Sequence, residues 1–498
     1  MKRRAFVQSS LATAATAALP IGRLFAQAPG VIASDIEVVT LSGGSKVIEK
    51  AVLQELQASL AGRLLLPASD GYDDARKVWN GMIDNKPAVI IQVANPTDIQ
   101  NAVNIAREYE ALTSIKGGGH NVAGKGMCNG GISIDCSQMA ATTCDPDTRS
   151  ATAEPGVLLG AVDAATQPYG LATPAGVVSH TGAAGLTLGG GFGKLSRTYG
   201  LTCDNVRSIE LVTPDGEFRR ATVSENPDLF WGLRGGGGNF GVVTKFEYQC
   251  HPVGTDFLSG SIMYPLASAR EILTEYAELI STVPDALQVS CNAIIMPNAK
   301  GFMNLSMFYT GDPAEGEKVI APIRAIGKPM RDGVEVGKYI DIQSRTDRNV
   351  PWGDQYYQKA GFLKEISPKM IDVLVDMTKS PNPFTASVNF TQVGGAIGKI
   401  DPGATAYPNR EAEVQIVIGA SWKKPTDTQG DYINTVRTNW KALLPYTDGV
   451  YINNMMGDGA NDRVRDNFNV NYDRLVELKN KYDPTNMLRL NANIKPTV

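Results

Sequence analysis

Histidine is scarce in this 498-residue chain, which holds only His120, His180 and His251. The six cysteines, at positions 128, 136, 144, 203, 250 and 291, form no Cys-x-x-Cys pair. Together these scarcities leave no ligand set for zinc or an iron–sulfur centre, so no metal is expected. Long apolar runs are missing as well: no stretch reaches the ~20 residues that a membrane-crossing helix needs. Positive charge is not in excess, with 47 Lys and Arg against 51 Asp and Glu, which disfavours nucleic acid as a partner. An oxidising compartment would permit a disulfide among Cys128, Cys136 and Cys144. Buried free thiols are the equal alternative.

Glycine, by contrast, is abundant and clustered. Lys116-Gly117-Gly118-Gly119-His120-Asn121-Val122-Ala123-Gly124 carries a histidine directly after three glycines. Three residues without Cβ let backbone N–H groups close on a bulky anion such as a pyrophosphate, and a neutral imidazole beside them is a nucleophile near neutral pH. Further clusters run from Thr181 to Gly193 and from Gly235 to Gly241. Several glycine loops in one region suggest one large, elongated ligand. Gly236, Gly238 and Gly241 match Gly-x-Gly-x-x-Gly formally. The segment before them reads as a helix and Val242 to Glu247 after them as a strand, the reverse of a dinucleotide-binding Rossmann unit. Gly193-Lys194 likewise fails as a phosphate-binding P-loop, because positions 188 and 195 are both leucine.

The N-terminus begins Lys2-Arg3-Arg4-Ala5-Phe6-Val7, continues through a mild apolar run from Leu11 to Leu19, and reaches small residues around Ala26-Gln27-Ala28. This order reads as a twin-arginine signal peptide over residues 1–28. It predicts a periplasmic or secreted protein handled by the twin-arginine export machinery. Removing its four positive side chains takes the formal charge from −4 to −8.

Periodicity predicts an amphipathic helix over 46–61, a strand over 88–93, and a helix to Ala106 whose Thr97 and Gln100 have capping-box spacing. A strand over 113–116 then delivers the chain into the histidine loop. Strands over 131–135 and 151–156 and a helix over 157–166 follow. From about Pro252 the character changes. Segments 258–263, 288–296, 302–308, 384–393 and 412–420 read as strands, separated by helices over 268–281 and 368–377. Phe384 to Thr391 alternates apolar and polar strictly, as a half-buried antiparallel strand does.

Three motifs carry a resemblance: Lys-Gly-Gly-Gly-His at 116–120, Gly-Gly-Gly-Phe-Gly-Lys-Leu-Ser-Arg-Thr-Tyr-Gly-Leu-Thr-Cys-Asp-Asn-Val at 189–206, and Trp-Gly-Leu-Arg-Gly-Gly-Gly-Gly-Asn-Phe-Gly-Val-Val-Thr at 231–244. In order and spacing they resemble the berberine-bridge-enzyme-like branch of the vanillyl-alcohol-oxidase flavoproteins, which bind FAD through a PCMH-type domain. The resemblance implies an α+β fold in which a two-part FAD-binding domain is joined to a substrate domain, an antiparallel sheet backed by helices. It divides the chain into an FAD-binding domain over 45–252, a substrate domain over 253–450, and a segment over 451–498 that returns to the first domain.

By the same resemblance, His120 is bonded to the flavin 8α-methyl carbon. The cofactor is further held by Gly117, Gly118, Gly119, Asn121, Gly124, Thr181, Gly182, Gly185, Gly189, Gly193, Gly241, Val243, Asn453, Asn491 and Asn493. Many relatives carry a second link from a cysteine, but Val178 stands at that position, so FAD attached once, through His120, is expected. Phe192 replaces a frequent tyrosine. Tyr451-Ile452-Asn453 matches the family's tyrosine-x-asparagine motif, with Asn454 in place of the aromatic that often follows. It puts Tyr451 beside the flavin, as a catalytic base if a nearby positive charge lowers its pKa, or as a hydrogen-bonding wall. Trp352, Tyr356, Tyr357 and Phe390 either line an aromatic substrate pocket or pack in the core; Gln392 and Glu413 are further candidates on the roofing sheet, and Arg410 reads as structural. The implied activity is oxidation of a C–OH, or less often a C–N or C–C bond, of a small organic substrate, with O2 as acceptor. A dehydrogenase serving a quinone or carrier protein, and a non-catalytic flavin-binding protein, are the competing readings.

Overall fold

The computed structural model describes residues 32–498 apart from 298–299, 380–385, 424, 426–427 and 458–462. The signal-peptide segment 1–28 lies outside the described residues, as do the first two positions of the 384–393 strand.

Strand Val89–Gln92 is buried at all four positions and pairs in parallel with Ile132–Asp135, which pairs in parallel with Thr113–Lys116. Burial on both faces is what an all-apolar Val-Ile-Ile run in a parallel sheet requires. Helix Pro96–Glu108 makes the crossover. Its cap is Asn95, whose side chain accepts from the Asp98 N–H at 2.9 Å, and not the expected Thr97. Pro96 already fixes the first helical φ, so the cap must precede it. The expected 46–61 helix is also shorter: Ser45–Ile48 is a strand paired with Ile36–Val39, and the helix is Lys50–Ser59. The β-branched Val47 and Ile48 are better served by the pleated surface.

A five-stranded antiparallel sheet follows in the order Phe218–Ala221, Val206–Val212, Val242–Gln249, Ser150–Ala153, Thr142–Asp145. Its last strand, Thr-Thr-Cys-Asp, has no buried position, which leaves it without an apolar pattern to read in the sequence. The C-terminal segment joins this half. Val450, Val464, Phe468, Leu475, Leu478 and Ile494 share one core with Leu229, Phe230 and Phe246. A fully buried Lys479–Asp483 ion pair at 2.7 Å fastens it further. The Lys479 ammonium also donates to the carbonyls of Asn239 and Leu488, tying the third glycine cluster to the tail.

The other half is one eight-stranded antiparallel sheet. Its main path runs Asp256–Pro265, Lys300–Tyr309, Leu287–Met296, Ala386–Gln392, Val414–Trp422, Gln355–Leu363. Helices Ala269–Leu279, Pro368–Lys379 and Gln429–Leu443 share the hydrophobic core on one of its faces. Strand Gln355–Leu363 was not expected from the sequence. Seven of its nine residues are buried, so it lacks the alternation that marks a half-exposed strand.

Candidate active site

A cavity of about 490 Å³ lies where the two halves face each other. All three glycine clusters, the tail around Asn491 and the uncovered face of the eight-stranded sheet contribute to its walls. The histidine loop arrives at the C-terminal end of strand Thr113–Lys116, the end at which ligands bind in open α/β sheets.

The glycines do two different jobs. A Cβ on Gly118 would stand 2.4 Å from the Gly182 Cα, so the first and second clusters cross with backbone against backbone. On Gly185 or Gly238 a Cβ would meet nothing within 4 Å, although both residues line the cavity. Their missing side chains are room for a ligand. Among the described residues, the N–H groups of Gly118, Gly119 and His120 donate to no protein acceptor, which leaves donors for an anion. Asn491 donates to the carbonyls of Gly238 and Leu488, and its Oδ1 is buried without a partner.

His120 is clamped by aromatic rings. Its imidazole stacks on Trp79 with centroids 4.4 Å apart, and the edge of Trp352 lies 6.5 Å away. Its Nε2 sits 3.1 Å from Nδ1 of His180. Burial, followed by the neighbouring His180, pushes its pKa down to about 3, so the ring is neutral and keeps a lone pair through the physiological range.

Tyr451 lines the cavity beside Phe192, ring centroids 4.9 Å apart. Its oxygen accepts from the Gly191 N–H at 3.0 Å and the Asn453 amide at 2.7 Å. No cation lowers its pKa. Burial instead raises it, outweighing the two hydrogen bonds, so at neutral pH Tyr451 is a phenol with a proton to donate. The phenolate base that the motif suggested has no electrostatic support.

Of the expected cofactor residues, Gly117, Gly118, Gly119, His120, Asn121, Thr181, Gly182, Gly185, Gly241, Val243, Asn453 and Asn491 line the cavity. Gly124, Gly189, Gly193 and Asn493 are not among the lining residues. A Cβ on Gly189 would strike the Asn453 amide, and one on Gly193 the Ala175 carbonyl; these glycines allow close packing behind the wall. Gly124 closes a turn with Asn121.

The substrate-side expectations need more correction. Phe390 is 1% exposed and points into the helix-backed core against Tyr276. Gln392 is fully buried on that same face, where it accepts from the Val289 N–H and donates to the Ile280 carbonyl. Because side chains alternate along a strand, it is Asn389 and Thr391 that reach the cavity, joined by Gln358, Gln415 and Val417 from neighbouring strands. Glu413 lies off the cavity beside Arg197, its carboxyl raised by burial. Tyr356 stacks behind Trp79 and donates to the Pro351 carbonyl. Trp352 is 43% exposed and is not among the lining residues. Arg410 is structural, paired through two nitrogens with Asp204. All six cysteines are free.

Sequence reasoning missed the amide-rich wall, Trp79 and the role of His180. The signal for the first was present, since the polar positions of the alternating 384–391 stretch were the ones to follow.

The family describing an FAD binding domain matches residues 87–222, and the family described as berberine and berberine like matches residues 431–495. An FAD-linked oxidoreductase of Dictyostelium discoideum is 32% identical over 89% of this chain and 97% of its own length. The chain belongs to the berberine-like FAD-linked oxidoreductases. A xylooligosaccharide oxidase of Thermothelomyces thermophilus is 26% identical over 84% of this chain and 89% of that protein. The crystal structure of a 6-hydroxy-D-nicotine oxidase from Arthrobacter nicotinovorans superposes with a TM-score of 0.81 at 25% identity, covering 88% of this chain and 98% of that one. The protein is thus an FAD-linked oxidoreductase enzyme with the α+β fold of the vanillyl-alcohol-oxidase type. Among the described residues, no helix is long and apolar enough to cross a membrane and no cluster of three or more His, Cys, Asp or Glu is arranged to hold a metal.

The cavity fits that cofactor. The unpartnered N–H groups of the first glycine cluster, the open faces of Gly185 and Gly238 and the orphaned Asn491 Oδ1 are what a long anionic ligand with hydrogen-bond donors would use.

Proposed function

We propose that this enzyme oxidises a C–OH or C–N group of a small organic molecule, with FAD held by a single covalent link to His120 and O2 as the electron acceptor. The observation that carries the reading is His120 itself: a neutral, desolvated imidazole, held flat against Trp79 on the cavity wall directly after three glycines. Rigid placement of a nucleophile with an available lone pair is what bond formation to a cofactor requires. Val178, lining the cavity where a second link would arise, cannot form a thioether. When bound, FAD supplies a hydride acceptor.

The chain's own residues do the rest. Tyr451, with both N–H donors spent on its oxygen, directs its proton toward a substrate heteroatom and orients it. Among the described residues no carboxylate lines the cavity, so the substrate proton leaves to solvent or belongs to an already neutral amine. The leader over 1–28 would carry the loaded protein through the twin-arginine machinery to the periplasm or beyond, and replacing Arg3 and Arg4 by lysine should leave flavin-loaded precursor in the cytoplasm.

Denatured protein should keep fluorescent flavin on a gel, with one modified peptide containing His120. Complete release of flavin by acid would overturn the covalent link. Anaerobic reduction of the bound flavin by substrate followed by air separates an oxidase, which recovers its oxidised spectrum at once, from a dehydrogenase, which does so only with a quinone or carrier protein.

A further inference from the structure

His120 touches two rings from elsewhere in the fold, Trp79 and His180, and one segment of the substrate half fastens both. It connects helix Tyr339–Ser344 to strand Gln355–Leu363. Thr346 donates through its hydroxyl to the Val177 carbonyl, and the Asp347 carboxylate accepts both the N–H, at 2.9 Å, and the hydroxyl of Ser179. Four residues on from Thr346, the Val350 carbonyl accepts from Nε1 of Trp79 at 2.9 Å, and the Gly353 N–H donates to the Trp79 carbonyl. From the cofactor half, the N–H groups of Gly160 and Leu159 donate to the carbonyls of Ser179 and Thr181. His180 is therefore held from both sides.

The direction of its bonding shows what it is held for. Nδ1 of His180 faces Nε2 of His120 at 3.1 Å, while its own Nε2 is buried with no partner among the described residues. A histidine kept for the fold has both nitrogens satisfied, because an unpaired buried polar atom costs about 1–3 kcal/mol. Here the hydrogen bonding of the ring is spent on His120. That contact also selects the reacting atom. With Nε2 of His120 engaged, Nδ1 is the nitrogen left to form a bond. His120 is neutral and so carries one ring proton; for Nδ1 to offer its lone pair, that proton sits on Nε2 and points at Nδ1 of His180.

We propose that His180 is the proton acceptor that lets His120 bond to the flavin, and that Asp347 is its seat, so that attachment waits until the substrate half has docked on the cofactor half. One N–H bond of His120 and one C–H bond of the 8α-methyl group break and one N–C bond forms. Two protons and two electrons are released, and O2 takes them up as H2O2. The His120 proton moves from Nε2 to Nδ1 of His180 along the hydrogen bond already present. Without that transfer the attached imidazole would be a cation in a place where burial already holds His120 neutral. The Asp347 carboxylate, whose charge reaches His120, offsets the charge passed to His180. The assignment rests on the covalent-link reading above and adds to it the positioning residues that make the link form and the order of events.

The test uses the full-length chain produced without flavin and then given FAD in air. Bound flavin is read from its absorbance and attached flavin from the fluorescence left on acid-precipitated protein, so binding and bond formation are followed separately. His180→Ala should bind FAD as the parent does and attach it ~10²–10⁴-fold more slowly, with added imidazole restoring part of the rate. His180→Gln keeps a hydrogen-bond acceptor but no base and should be as slow as His180→Ala. Asp347→Ala should slow attachment about 10–100-fold, and the double variant should be no slower than His180→Ala alone, as for residues that act as one unit. Should the variants fail to bind FAD, the parent decides: attachment slower in D2O than in H2O supports the transfer, and equal rates overturn it. Attachment at the parental rate in His180→Ala or His180→Gln overturns the relay and leaves the covalent link standing. A parental rate in Asp347→Ala overturns its seating role. Flavin that the parent binds and never attaches removes the link itself and the relay with it.

Discussion

The two sides of the cavity are made of different material. On the cofactor side the wall is backbone: glycine loops crossing at Gly118 and Gly182, where the lining residues Gly118, Gly119 and His120 have N–H groups with no protein acceptor among the described residues. On the substrate side the wall is side chains, an amide and hydroxyl surface standing on one face of a sheet whose other face is core. Where the loops cross, the backbone wall tolerates almost no substitution, because a carbon added at Gly118 or Gly182 meets main chain that cannot move aside. A side-chain wall can be changed without disturbing the strands beneath it. The difference shows where this fold fixes its chemistry and where it leaves room to vary it.

The largest effect should come from confusing the two faces of strand Ala386–Gln392. Phe390→Ala empties a fully buried site and should cost about 3–5 kcal/mol, read in a denaturant titration, with substrate KM in surviving protein unchanged. Asn389→Ala, one residue away, should alter KM while stability stays within about 0.5 kcal/mol. If Phe390→Ala spared stability and changed KM, the face assignment would be inverted.

Next in size is the crossing of the glycine loops. Gly118→Ala places a methyl against backbone and should cost about 3 kcal/mol, with flavin content falling in parallel. Gly185→Ala meets no protein atom and should leave flavin-free melting unchanged while lowering flavin occupancy. Equal melting losses in both would mean that Gly185 is packing and not cradle.

This contrast also explains what could be read before the structure. The backbone wall was legible residue by residue, since a glycine needed for close approach appears as a glycine in the sequence; eleven of the fifteen cofactor-side residues expected beside His120 line the cavity, while Gly189 and Gly193 serve packing behind the wall. The side-chain wall was legible only as a pattern. Alternation in 384–391 announced a half-buried strand, yet bulk aromatics drew attention to Phe390 when the cavity belonged to Asn389 and Thr391. Strand Gln355–Leu363 was hidden because burial on both faces erases alternation. His180 gave no local signal: its pairing with His120 bridges sixty positions and exists only once the first two glycine clusters have crossed.

Tyr451→Phe tests the joint between the walls. It strips the Gly191 N–H and the Asn453 amide of their shared acceptor, which should cost about 1–3 kcal/mol. Because burial raises the phenol's pKa, Tyr451 does not titrate near neutrality, and the pH profile of flavin reduction between pH 6 and 9 should have the same shape in parent and variant. An inflection that vanishes in Tyr451→Phe would restore the catalytic base.

The smallest effect lies at the seam. Asp163, on helix Leu159–Thr166 of the cofactor half, accepts a long 3.5 Å hydrogen bond from Gln343 of the substrate half, whose Oε1 accepts from Lys194 at 2.8 Å. Burial pushes Asp163 up to about 7 and Lys194 down to about 8. A carboxyl raised on folding binds its proton more tightly in the native state than in the unfolded chain. Its contribution is therefore complete below about pH 4 and is lost as pH rises toward 7. Asp163→Asn keeps the acceptor for Gln343 and removes the titration. Relative to the parent, the variant should be unchanged near pH 4 and gain about 1–2 kcal/mol by pH 7.5, less than the full shift implies because Lys194 loses its counter-charge. Chemical denaturation of parent and variant at both pH values measures the difference directly. A gain at pH 4 that disappears by pH 7.5 would reverse the sign and show that the native Asp163 is held ionised, making the seam an ion pair and not a proton-sharing contact.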